Sequence, residues 1–198
     1  MKTNKLVQGA LIASLYGVLA VLNTMTGTMF DVLIGYGMSI PIAIYTHKTG
    51  LKEALMTAIA SMIIAFMFGT LSYVLIVFSS LGMGIVVGLC LKKKAKKETM
   101  LLAGSAIFFL SDFLSFYVFS GVLGINLISE TKEMYNQMIA MVPSIQQAFS
   151  FQNFYNLIPL GILIMSFLQS YLVMMLCALF FRRLKIPFDV SIHIATFR

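Results

Sequence analysis

Residues 51–97 read LKEALMTAIASMIIAFMFGTLSYVLIVFSSLGMGIVVGLCLKKKAKK, and this stretch decides the fold class. Between Leu51 and Leu91 the only charged side chains are Lys52 and Glu53, both at its start. A helix crosses the hydrocarbon core of a bilayer in ~20 residues. The stretch is too long for one crossing and reads as two, with Gly69 and Ser72 marking a tight turn between them. Lys92-Lys93-Lys94-Ala95-Lys96-Lys97 then stops the apolar run, as basic blocks do at the edge of a membrane.

Composition extends this reading to the whole chain. Of 198 residues, 60% are hydrophobic and 11% are charged, where a soluble domain carries roughly 25% charged residues. A soluble domain of this size still needs a polar surface, so the surface here is expected to face lipid. The net charge of +7 does not point to nucleic acid, because the basic residues sit at the ends of apolar runs. The expected fold is an all-α integral membrane protein, a six-transmembrane-helix bundle. Its spans fall at about 6–23, 29–45, 51–68, 71–91, 100–123 and 155–181, in one domain over residues 1–185, with a tail at 186–198. Lys2 and Lys5 precede the first apolar run as in a signal peptide. No A-x-A cleavage pattern follows, so the segment reads as an uncleaved first helix. Pro41 is expected to kink the second span, and Pro159 to lie in the first turn of the sixth.

The stretch Gly124–Asn153 differs. It carries Glu130, Lys132, Glu133, Asn136, Gln137, Gln146 and Gln147, while Met134, Met138 and Met141 recur at i, i+4, i+7. It reads as an amphipathic segment at the interface or capping the bundle, broken near Pro143.

Charge sets the orientation. With the N-terminus in the cytoplasm, thirteen of the fourteen lysines and arginines fall inside and only Lys132 falls outside. This positive-inside bias places both termini in the cytoplasm of a multi-pass cell-membrane protein. The outer side then holds the loop around Thr26, the turn at Gly69 and the amphipathic segment.

Chemistry-bearing residues are few. Asp112 lies within the fifth apolar segment, flanked by Phe108, Phe109, Phe113 and Phe116. A carboxylate there costs ~2.5–3.5 kcal/mol on insertion scales and belongs in the protein interior or a wet cavity. Helical spacing puts Ser105, Ser115 and Phe119 near its face, and Gln169 is a candidate partner at similar depth. Asp112 and Ser115, with Asn126, Tyr155, Asn156 and Gln169, form the candidate substrate-binding set; helix-end polarity and a hydrogen-bonded buried carboxyl are the structural alternatives. Asp31, at the outer start of the second span, suits capping or exposure. Gly9, Ala13 and Gly17 give the first helix a small-residue face, with Ala10 and Ser14 flanking it. Such a face lets another helix backbone approach closely, in a partner subunit or within the bundle. Gly84 and Gly88 repeat the pattern. Cys90 and Cys177 lie in apolar segments without metal-ligand spacing, and His47 and His193 are isolated, so no metal site is expected. The Lys92–Lys97 run suits anionic lipid head groups. No H-E-x-x-H, G-x-S-x-G or Walker A pattern appears, and no enzyme or cofactor is expected.

The basic N-terminus, the run Gly9-Ala10-Leu11-Ile12-Ala13-Ser14-Leu15 and six spans in under 200 residues resemble the substrate-binding S components of energy-coupling factor (ECF) vitamin transporters. The stretch from Ile40-Pro41-Ile42 to Thr49-Gly50-Leu51-Lys52-Glu53-Ala54 also resembles that family's second loop. The chain is closer to the YybS-like group of predicted membrane proteins, which share an S-component-like core. There the counterparts are His47-Lys48-Thr49-Gly50-Leu51-Lys52 and Gly82-Met83-Gly84 to Gly88 before a basic run. That group is longer, so this chain resembles a short or truncated form of it. The resemblance spans about residues 5 to 185. It implies an outward-facing small-molecule pocket among the last three helices and the outer loops. It also implies a coupling transmembrane subunit and ATPases as partners, beside membrane lipid. S-component ligands include riboflavin, thiamin and folate. This chain has no tryptophan, so Tyr155, Phe151 or Phe154 would have to stack a ring. The competing expectation is a non-transporting membrane scaffold, similar to the rod-shape protein MreD. A closed outer pocket of ~300–1,000 Å³ with convergent polar groups favours the first reading, and a solid apolar bundle the second.

Overall fold

The computed structural model describes residues 3–119, 127–141 and 151–184. Among these residues every regular element is helical: α1 (Thr3–Met25), α2 (Asp31–Thr49), α3 (Leu51–Phe68), α4 (Leu71–Lys92), α5 (Lys97–Leu114, continued by a π-helical turn over Ser115–Phe119), α6 (Leu127–Met141) and α7 (Phe151–Arg183). Five are long and apolar enough to cross a membrane, namely α1, α3, α4, α5 and α7. The protein is a multi-pass helical membrane protein.

The joints are short because glycine makes them possible. Gly50 alone separates α2 from α3. Its φ is +109°, a conformation that side-chain-bearing residues rarely adopt, and its N–H donates to the Thr46 carbonyl at 2.9 Å. The helix before it therefore runs through Thr49, past the expected end near Tyr45. Gly69 and Thr70 separate α3 from α4. The Gly69 N–H closes α3 on the Ala65 carbonyl, and the Thr70 hydroxyl caps α4 by accepting from the Tyr73 N–H at 3.2 Å. Ser72, expected at the turn, belongs to α4.

α2 and α4 form the centre of the bundle. Tyr16, Ala20, Met38, Ala54, Tyr73 and Val77 build one core of α1, α2, α3 and α4. Ile40, Met83, Val87, Met100, Val173 and Phe181 build a second core of α2, α4, α5 and α7. The α2–α4 seam is closed by glycine. A Cβ on Gly88 would lie 2.5 Å from the Ala43 carbonyl oxygen, and one on Gly84 would meet Ile42 and the Ser39 carbonyl oxygen. The backbones approach as in small-residue membrane interfaces.

α2 is not among the five apolar spans, although 19 residues reach ~28 Å. Its buried positions include Ser39, Thr46 and Thr49, whose hydroxyls return to the Gly35, Ile42 and Tyr45 carbonyls. Its interior from Val32 to Thr46 is as apolar as the other spans, and Asp31, His47 and Lys48 at its ends lower its hydropathy. By contrast α1, α3 and α7 expose apolar side chains such as Leu11, Val18, Ile59, Ile63, Leu160 and Leu168. This outward apolar surface suits lipid.

Basic residues collect at one end. Lys5 pairs with Glu53 at 3.4 Å, and the Tyr45 hydroxyl donates to the Lys5 carbonyl at 2.9 Å. The Lys92 ammonium stands over Gly50. Met100 near the start of α5 shares a core with Phe181 near the end of α7, which brings Arg182 and Arg183 to that end. The opposite end carries Asn23, whose amide donates to Asp31. Phe30 occupies the N-cap of α2 without a side-chain bond, so Asp31 is not the cap. It lies in the first turn, where a negative charge complements the helix dipole.

Candidate functional site

Four helices enclose a cavity of about 150 Å³. α2 contributes Gly35 and Tyr36, α4 contributes Ile76 and Ser79, α5 contributes Phe108 and Asp112, and α7 contributes Gln169. Tyr36, Ser79, Asp112 and Gln169 each lie about 20 Å along their helices from the basic end, at 1.5 Å per residue. In a hydrocarbon core of ~30 Å the cavity therefore sits in the half remote from the basic residues.

The geometry follows from local packing. The Ser111 hydroxyl donates to the Leu75 carbonyl at 3.3 Å, which fixes α5 on α4 one residue before Asp112. The Ser170 hydroxyl donates to the Leu101 carbonyl at 3.2 Å, which fixes α7 on α5 one residue after Gln169. Gly104 makes room at that crossing, where a Cβ would strike Met83 and Ser170. Gln169 and Asp112 face the same cavity from α7 and α5. Tyr36 meets Phe108 edge to face, with ring centroids 6.3 Å apart. The Ser79 hydroxyl donates to the Ile76 carbonyl at 2.9 Å, leaving its oxygen as an acceptor. No lysine, arginine or histidine lines the cavity among the described residues.

Of the residues expected from the sequence, Asp112 and Gln169 meet here. Ser115 does not line the cavity; its hydroxyl donates to the Ser111 carbonyl at 2.8 Å. Ser105 likewise bonds Leu102. Tyr155 joins a run of rings instead. Phe109, Phe113, Tyr117, Tyr155, Phe151 and Tyr135 follow one another at centroid spacings between 4.5 and 6.4 Å. That run carries the α5 π-turn onto α7 and α6. Asn156 is exposed and accepts from the Gln152 amide at 3.4 Å. Asn126 lies outside the described residues, as do Pro143 and the tail from 185 onward. Gly9, Ala13 and Gly17 are buried within the chain. A Cβ on Gly9 would lie 2.5 Å from the Thr57 hydroxyl oxygen, and one on Gly17 would lie 2.6 Å from Ile64. The small face of α1 is thus occupied by α3, and a partner helix would have to meet a different face.

Sequence reading missed Tyr36 and Ser79. Their only signals are a tyrosine set between Gly35 and Gly37 and a serine pair within apolar α4. Two larger hollows are open and apolar. One, of about 730 Å³, runs between α2 and α7 along Tyr36, Gly37, Pro41 and Leu176. The other, of about 440 Å³, lies beneath α6 beside Phe116, Met134, Phe154 and Gly161.

Residues 14–198 match the family model described as "Predicted membrane protein (DUF2232)". A curated relative is "Uncharacterized protein YybS" of Bacillus subtilis (strain 168), 26% identical over 144 residues, which cover 73% of this chain and 46% of that protein. The chain thus spans about half the length of the relative it matches. No solved structure matches the chain. With the family model covering nearly all of its length, the chain belongs to the DUF2232 family of predicted membrane proteins.

Proposed function

We propose that this DUF2232 protein is a membrane-embedded binding subunit for a small molecule. In this reading α2 is the sixth span, the basic end faces the cytoplasm, and the cavity lies in the outward half. Transport then depends on a coupling transmembrane subunit and ATPases from other chains, as the resemblance to ECF S components implies. The supporting observation is the cavity itself. Polar side chains from four helices converge on it, with a carboxyl that has no basic partner in the lining. Intramembrane carboxylates are expensive to insert and mark functional sites by default. At about 150 Å³ the cavity is smaller than the ~300–1,000 Å³ of drug-sized pockets. This argues for a ligand smaller than a flavin or a folate.

The test is mass spectrometry of the denatured protein after purification in mild detergent. A stoichiometric small molecule is expected with the wild type and absent from Asp112→Ala. A folded wild-type protein that carries nothing would sink the binding of an organic molecule and, unless the cation response described below is found, favour the scaffold reading.

A further inference from the structure

We infer that the cavity between α2, α4, α5 and α7 takes a small monovalent cation, an alkali ion or a protonated primary amine. This inference rests on the binding role proposed above and names the ligand class of the same site.

Charge is the first reason. Among the described residues Asp112 is the only acid in the lining, and no basic side chain there balances it. A lone carboxylate in a low-dielectric interior must take a proton or a counter-ion. The neighbouring polar groups are arranged to accept. Ser79 spends its hydroxyl hydrogen on the Ile76 carbonyl, so its oxygen remains free. Gln169 brings a carboxamide and Tyr36 a hydroxyl to the same lining, and each carries an oxygen able to accept.

Valence is the second. Divalent calcium takes six to eight oxygens, commonly from several carboxylates. Among the described residues no three His, Cys, Asp or Glu side chains gather to hold a metal ion. One carboxylate balances one positive charge.

Size and wall chemistry are the third. The volume of about 150 Å³ holds about five waters at roughly 30 Å³ each. That suits an ion with part of its shell, or an ammonium group on a few carbons. Ile76 offers apolar contact for those carbons. Tyr36 and Phe108 add aromatic rings to the same wall.

The test uses the full chain in mild detergent. Thermal unfolding is followed while sodium, potassium or methylammonium chloride is added, with N-methylglucamine chloride at equal ionic strength as the bulky control. At least one small cation is expected to raise the Tm saturably above the control, and its identity separates an alkali ion from an amine. Asp112→Asn is expected to abolish that rise. Should this variant fail to fold, Ser79→Ala is expected to shift the saturation midpoint by about tenfold, the loss of one hydrogen bond to a charged group. Equal responses to all four salts, or an undiminished response in a folded Asp112→Asn, would overturn the inference. A neutral or anionic compound found by mass spectrometry would overturn it too, while leaving the binding role intact. Cation-specific stabilisation without any co-purified compound supports the cation site and counts against an organic-molecule binding subunit.

Discussion

α2 has two seams, and they are built in opposite ways. Against α4 it is closed to backbone contact, because Gly84 and Gly88 leave no room for even one methyl group. Against α7 it meets the shared core through Ile40 and Ala43 but is open beside Gly37 and Pro41. The open hollow of about 730 Å³ lies there, and Gly37 has nothing within 4 Å of where its Cβ would be. Tyr36 lines both that hollow and the polar cavity. One face of the helix supplies cohesion and the other supplies space. The difference shows that glycine content alone says nothing about packing: the same residue type marks a fused seam at position 88 and an empty one at position 37.

Gly88→Ala attacks the fused seam directly. The new methyl meets the Ala43 carbonyl and Thr46, where only backbone movement relieves it, and overpacking costs about 3 kcal/mol. A large fall in Tm in detergent is expected; a wild-type Tm would mean the seam is looser than described. Tyr16→Phe tests the same half of the molecule through polarity. Its buried hydroxyl donates to the Met38 carbonyl at 3.0 Å and lies 3.2 Å from the Ser80 hydroxyl. Removing it is expected to cost about 1.5 kcal/mol, read as a smaller drop in Tm, and an unchanged value would argue that other donors take over. Gly37→Ala is the counterpart at the open seam. With no collision to offset it, better helix propensity is expected to add about 0.5–1 kcal/mol. A loss of stability there would show that α2 and α7 close together in the folded protein.

The division of residues 51–92 into two helices is legible because the apolar run is too long for one crossing and Gly69, Thr70 and Ser72 interrupt it near its middle. Asp112 is legible for a related reason: a carboxylate among phenylalanines violates its surroundings, and Gln169 stands at matching depth. Tyr36 and Ser79 carry no such contradiction. A tyrosine beside glycines and a serine in an apolar helix fit many settings, and only the packing of four helices brings them together. Gly9, Ala13 and Gly17 show a different limit. Their spacing identifies a face that wants a close neighbour, but periodicity cannot say whether that neighbour is another chain or α3. Ser105 and Ser115 share the helical face of Asp112, yet each hydroxyl is turned back onto its own helix. α2 was expected to rank with the other spans. Its lower hydropathy comes from Asp31, His47 and Lys48 at its ends, where they can reach the membrane surface.

The joint at Gly69 and Thr70 also bears on how the chain is made. Two residues between α3 and α4 leave no length of loop to rest in water on the far side of the bilayer. The two helices therefore enter together, as a hairpin whose tip carries no charge across. In the proposed orientation the lysines that follow α4 stay on the side where synthesis began, because a cluster of positive charge resists passage. A turn that serves packing in the finished protein thus sets the order of events at the insertion machinery: helices three and four are delivered as one piece.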